Sequence, residues 1–370
     1  MANRELPHDA VVLLPPNGPW PEHERQVHRY MAACVGQLLG IPFIEHAEAA
    51  QRPYFVPART LVVGDPGLPT GLLSLHDFFG GLVPLPFLAT KAVAHAAWPG
   101  GPVAPGWQPR CAALAGDALL PGWTVFDSAG AREAAAQLLA TGPVRVKPVR
   151  ATGGRGQTVI ENLGQLDAAL HDIEQAELES CGLVLETNLT EVTTFSVGQA
   201  TIGGFTASYY GTQRLVQDSQ GQWVYGGSNL SLARGGYEQL LLRPLPATLQ
   251  TAVDQARRYE QAILACYPGL IASRRNYDAV AGRDTKGRWV SGIMEQSWRV
   301  GGASAAELLA LLAFQRDPDL TTAKAATFEV YGTASIPSDA VRLYQGNDDE
   351  LGQLCKYATV DFNGGKQPSR

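Results

Sequence analysis

The stretch "VRVKPVRATGGRGQTVI", residues 144–160, runs from β-prone residues to Lys147 and Pro148, through a turn with Gly153, Gly154 and Gly156, into a second apolar run. Two strands joined by a flexible basic loop describe an ordinary surface hairpin. They equally describe a lid over phosphates, which needs backbone N–H groups that approach oxygen closely, as glycine permits, and a nearby cation. Residues 147–157 supply both. The Walker pattern G-x-x-x-x-G-K-[ST] is absent. A strand follows Gly156, so no helix N-terminus faces the loop and the dinucleotide fingerprint fails.

Working outward, "DSAGAREAAAQLLA" (127–140) precedes the stretch as a helix capped by Asp127 or Ser128. A helix over 163–180 follows it, with Leu163, Leu166, Leu170 and Ile173 on one face, and then the strand "GLVLETNL" (182–189). Nearer the N-terminus, "VVLLPP" (11–16), a helix over 21–40 and "TLVVGD" (60–65) read as strand, helix, strand: a small α/β unit with parallel strands. The glycine- and proline-rich "PGGPVAPGWQP" (99–109) reads as a connector. Beyond residue 190, successive strand patterns with helices near 247–266 and 303–315 predict a largely antiparallel sheet.

One of its hairpins carries two acids. In "RRNYDAVAGRDTKGRWVSGIMEQSWRVGG" (274–302) the turn "DTKG" separates two strand-like runs. If the hairpin is centred between Lys286 and Gly287, Asp278 falls opposite Glu295. Directly opposed side chains have Cβ atoms about 4.5–5.5 Å apart, and like charges there repel unless a cation intervenes. Mg²⁺ held by one or two carboxylates and bridging to phosphates would relieve the pair. A bulge at Gly287 would slip the register and send the acids to opposite faces, leaving two solvated carboxylates. Arg274, Arg275 and Arg299 flank the pair and could orient an anionic substrate.

The chain has 370 residues, a hydrophobic content of 45% and a formal net charge of −6. These numbers predict a multi-domain globular protein that binds neither nucleic acid nor membrane. Five scattered cysteines without C-x-x-C spacing predict reduced thiols, and the first residues lack an apolar leader core; both point to the cytoplasm. A homodimer is compatible with this reading.

Taken in order, the lysine, the glycine-rich loop, a strand ending in glutamate and two later acids resemble the ATP-grasp superfamily over roughly residues 85–315. The resemblance implies a fold in which two α+β subdomains clasp ATP, preceded by a small Rossmann-like domain. It implies a pre-ATP-grasp unit over 1–90, a lid subdomain with linker over 91–195, a metal-bearing subdomain over 196–335 and a tail over 336–370. ATP phosphates would meet Lys91 and Lys147, with a lid from Ala151 to Gln157 that includes Gly153, Gly154 and Gly156. Glu186 would face the adenine amine, Leu189 would offer backbone groups, and Glu191 would stand in at the ribose, where Thr193 and Thr194 occupy the usual acidic position. Mg²⁺ would sit on Asp278, Glu295 and Ser297, the serine replacing an asparagine. More narrowly, "HDFFGGLVPLPFLATKAVAH", "YYGTQR" and "EQSWRVGGASAAELLAL" resemble an uncharacterised bacterial family, the domain of unknown function 3182.

The chemistry the superfamily resemblance implies is Mg²⁺–ATP-dependent activation of a carboxylate as an acyl phosphate, attacked by an amine or thiol. Arg299 or Arg275 would hold the acceptor's oxyanion. A small-molecule kinase, or a nucleotide-binding module without turnover, is the alternative.

Overall fold

The computed structural model describes residues 8–45, 49–70, 72, 74–150 and 156–361. Gly153 and Gly154 of the expected lid lie outside the described residues. The chain is a mixed α/β molecule, and its described residues form four sheets.

At the N-terminal end β1 (Ala10–Leu14) is flanked by β2 (Phe43–Ile44) and β3 (Pro53–Pro57), both parallel to it. The crossover is α1 (Glu22–Leu39), which stops at Gly40 with φ 72°. Glycine adopts that left-handed conformation without a Cβ penalty. Parallel strands form as expected, but the partners of β1 are β2 and β3 and not the strand expected over 60–65. The strand expected over 60–65 is shorter and joins a second sheet: β4 (Leu61–Val62) runs parallel to β5 (Gly81–Val83), and β14 (Ile271–Ala272) pairs antiparallel on the far side.

The 144–160 stretch builds β8 (Val144–Pro148) and β9 (Thr158–Ile160) at one edge of a five-stranded sheet. Its other strands are β6 (Ala96–Ala97), β7 (Gly122–Val125) and β10 (Leu183–Thr187), in the order β6-β7-β10-β8-β9. One face packs its valines and leucines against α3 (Ser128–Leu139), α4 (Leu163–His171) and α5 (Gln175–Cys181). Alternation sends Arg145, Lys147 and Glu186 to the other face. The single helix expected over 163–180 is two helices, broken at 172–174. Leu166 and Leu178 are both buried in the same core. In one continuous helix they would point about 120° apart, and the break resets the phase.

The largest sheet has eight strands, all antiparallel. It contains β11 (Thr190–Ile202), β12 (Phe205–Gln217), β13 (Trp223–Arg234), β15 (Arg274–Arg283), β16 (Trp289–Ser297), β17 (Thr322–Tyr331), β18 (Val341–Asp348) and β19 (Gly352–Asp361). The order is β16-β15-β11-β12-β13-β17-β19-β18, so the span read as a tail supplies two strands. The short α6 (Tyr237–Leu240) follows β13. One face packs on α7 (Ala247–Cys266), the other on α8 (Ser304–Arg316) and α1. Residues 304–314 of α8 are all buried, as an all-round apolar helix between two layers requires. Cys111, in α2 (Arg110–Ala115), is disulfide-bonded to Cys266 at the end of α7, a correction to the expectation of free thiols throughout.

Candidate functional site

Asp278 and Glu295 stand directly opposite each other on β15 and β16. The route to that register differs from the expected one. Near the turn, Arg283 pairs with Trp289 and Ala279 with Ile293, so the hairpin is centred on Lys286. Continued regularly, this would bring Met294 opposite Asp278. A bulge between Asp278 and Ala279 takes up the extra residue and restores the two acids to one face.

Asp278 is held from below. Ser196 Oγ donates to its Oδ1 at 3.1 Å and Asn276 Nδ2 at 2.9 Å, while Gln213 Nε2 donates to Ser196 Oγ at 3.0 Å. Tyr209 Oη lies 2.9 Å from Asn276 Oδ1 and 2.7 Å from Glu307, whose carboxylate takes two hydrogen bonds from Arg274 at 3.0 and 2.7 Å. Burial, with the facing Glu295 carboxylate adding to it, pushes the Asp278 carboxyl up to about 6, and the hydrogen bonds only partly oppose this.

A short segment joins this acid pair to the five-stranded sheet. Lys91 opens a 3-10 turn, Lys91–Ala94, whose Thr90 side chain accepts from Ala92 N–H. Lys91 Nζ reaches Glu295 at 2.7 Å. Gln296 Nε2 donates to Thr90 O and pins the segment along β16. Four residues after Lys91, His95 Nε2 lies 3.0 Å from Glu186, and its Nδ1 lies 3.1 Å from Leu120 O. Both ring nitrogens face oxygen atoms. Glu186 also takes Lys147 Nζ at 2.5 Å, a diagonal contact across β8 and β10, where Lys147 pairs with Val184. Gly122 is opposite Glu186 on β7, and a Cβ there would come within 2.9 Å of His95 Nδ1. Burial works to raise the Glu186 carboxyl, but Lys147 and His95 together hold it down to about 2.

The other expected residues fall as follows. Arg299 is half-buried after β16, donates to Val300 O at 2.8 Å, and has no carboxylate salt bridge among the described residues. Burial, then Arg274, pushes its guanidinium below the usual value, with Glu295, Glu24 and Asp278 opposing. Ser297 pairs with Asn276 on the same face as the acids, its Oγ 3.5 Å from Arg274. Arg275 does not join them. Three residues from Asp278, it points to the opposite face, where it pairs with Glu260 at 3.0 Å and donates to Gln199 at 2.5 Å. Glu191 sits at a bulge in β11 with φ 50° and an exposed carboxylate that binds Arg283 at 3.0 Å. Leu189 is half-buried just past β10, against Gly282. Gln157 accepts from Arg145 at 3.3 Å, and Gly156 has φ 68°.

Two half-buried carboxylates oppose each other with Ser297 on the same face, oxygen donors of the kind a divalent cation takes. Among the described residues, no group of three or more His, Cys, Asp or Glu side chains is placed to hold a metal ion.

A family model described as "Protein of unknown function (DUF3182)" matches residues 11–358, nearly the whole chain. The chain belongs to the DUF3182 family. No curated protein matches it. The match runs through the N-terminal parallel sheet as well as the acid hairpin, so the DUF3182 unit includes α1 and the strands up to β19. No helix of its described residues is long and apolar enough to cross a membrane.

Sequence reasoning missed His95, Asn276 and Glu307. Asn276 was legible, since it lies two residues from Asp278 and alternation puts it on the same face. His95 carried no local signal, because its partner is 91 residues away.

Proposed function

We propose that this DUF3182 chain is an ATP-grasp ligase that uses Mg²⁺–ATP to activate a carboxylate for attack by an amine or thiol. The observation that carries the reading is the segment 91–95: Lys91 binds Glu295 on the eight-stranded sheet and His95 binds Glu186 on the five-stranded sheet. Two buried lysines and the opposed acids thereby belong to one site, between two sheets.

In this reading Lys91 and Lys147 hold phosphate oxygens, and Asp278, Glu295 and Ser297 hold Mg²⁺. Bound Mg²⁺–ATP supplies the phosphoryl group. Lys91, paired with Glu295 in the structure, would be the cation that meets phosphate, and Glu295 would serve as a metal ligand. Arg299, without a carboxylate salt bridge among the described residues, anchors the substrate's carboxylate and stabilises the oxyanion that develops on it. The network from Arg274 through Glu307, Tyr209 and Asn276 fixes Asp278. Arg275, committed to Glu260 on the other face, takes no part.

The test is a screen of small carboxylic acids with Mg²⁺–ATP and hydroxylamine as nucleophile. The ligase reading expects ADP together with a hydroxamate from one class of acid, abolished in Glu295→Gln. ADP with a stable phosphorylated alcohol would identify a kinase instead. ATP binding with no ADP for any acid would identify a binding module.

A further inference from the structure

α1 carries a group that the reaction above leaves unused. His28, 9% exposed, faces Glu24 O with Nδ1 at 2.7 Å. A carbonyl only accepts, so Nδ1 carries the hydrogen and, in the neutral ring, Nε2 is a bare lone pair. That nitrogen is buried and has no hydrogen-bond partner, although buried polar atoms are nearly always satisfied. It lies across the ring from Nδ1 and so points away from the α1 backbone. The indole of Trp20 stands edge-on to the same imidazole, centroids 5.5 Å apart, and its buried Nε1 is likewise unpartnered. Glu24 has no salt bridge among the described residues and acts electrostatically on both His28 and Arg299.

An acceptor nitrogen and a nearby carboxylate, both within electrostatic reach of the arginine that would hold the activated acid, match one partner: a primary amine arriving as its ammonium. We propose that the first two turns of α1 hold the amine of the second substrate, with Glu24 drawing in the cation and His28 Nε2 taking its proton. This rests on the ligase reading and narrows it, because a neutral thiol gains nothing from the Glu24 carboxylate. In the step, the ammonium first gives one proton to Nε2, which frees the nitrogen lone pair and leaves an imidazolium that later releases the proton to solvent. The amine nitrogen then attacks the acyl carbon held by Arg299, forming the C–N bond. The C–O bond to phosphate breaks, and phosphate leaves with the electron pair and with the second proton that the nitrogen sheds. Burial pushes the His28 ring below its ordinary value, with Arg299 and Lys356 adding to that and the Glu24 carbonyl and carboxylate opposing, so the ring is neutral and ready at pH 7.

The experiment is NMR of the full chain, ¹⁵N-labelled at histidine and saturated with Mg²⁺–ATP, titrated with methylamine. His28→Gln assigns the resonance. The expected result is a saturable shift of the unprotonated Nε2 signal with methylamine but not with ethanol or acetate, weakened roughly tenfold in Glu24→Gln, the scale of one lost charge-assisted contact. An unmoved Nε2 in a protein that binds Mg²⁺–ATP would overturn the amine site alone. Failure to bind Mg²⁺–ATP would remove the ligase reading and this inference with it.

Discussion

Asp278, half-buried, and Glu186, fully buried, are carboxylates with opposite fates, and the difference lies in what faces each. Glu186 has Lys147 and His95, so its folded value is depressed, and its contribution is present above about 4.5 and lost as pH falls toward about 2. Across that window the pair contributes about 3 kcal/mol. Acid denaturation should therefore steepen between pH 4.5 and 2 in the wild type but not in Glu186→Gln. At pH 7 that variant should be less stable by about 3–5 kcal/mol, because Lys147 is left buried and unpaired. Asp278 faces Glu295 instead. Its folded value is raised, so its ionisation weakens the fold increasingly as pH rises from 3.8 through about 6. Asp278→Asn should raise the denaturation midpoint at pH 8 and have no such effect at pH 3.5. A lower midpoint at pH 8 would contradict the account of two acids held in repulsion.

At the scale of elements, the acid hairpin shows how far sequence reasoning reaches. Opposition of Asp278 and Glu295 was legible from turn chemistry and counting, yet it is realised by two compensating offsets, a turn centred on Lys286 and a bulge near Met294. Such offsets depend on packing against neighbouring strands and leave no local signal. The same limit explains α4 and α5: the periodicity of Leu163, Leu166, Leu170 and Ile173 is genuine, but the break is dictated by the need to bury Leu178 in the same core. The strands at 341–361 escaped notice because their partners lie in β17 and in each other. Arg275 is a different case. Alternation alone puts it opposite Asp278's face, and charge proximity in sequence misled. The loop carrying Arg299 is set by Trp298, buried against Gly81 of β5, where a Cβ would come within 2.4 Å of the Trp298 Cβ. Gly81→Ala should destabilise the protein by about 1–3 kcal/mol through overpacking. It should also weaken carboxylate binding at Arg299 more than it weakens nucleotide binding, measurable by thermal melts and calorimetry on the same variant.

For the whole molecule, residues 91–95 tie the eight-stranded sheet to the five-stranded one, through Lys91 with Glu295 and His95 with Glu186, and the proposed site lies along that tie. β5 underlies Trp298, and α1 would contribute through the proposed amine site. The DUF3182 match, which begins at residue 11, covers these parts along with the hairpin. The measurement that bears most directly on the account is calorimetric titration of ATP, with and without Mg²⁺, into the wild type, Lys147→Arg and Glu295→Gln, each shown to be folded. The account predicts Mg²⁺-dependent binding in the wild type, weakened at least about tenfold in both variants, since each loses a charge-assisted contact to phosphate or metal. No heat from ATP in a folded wild-type protein, or binding indifferent to both substitutions, would contradict it.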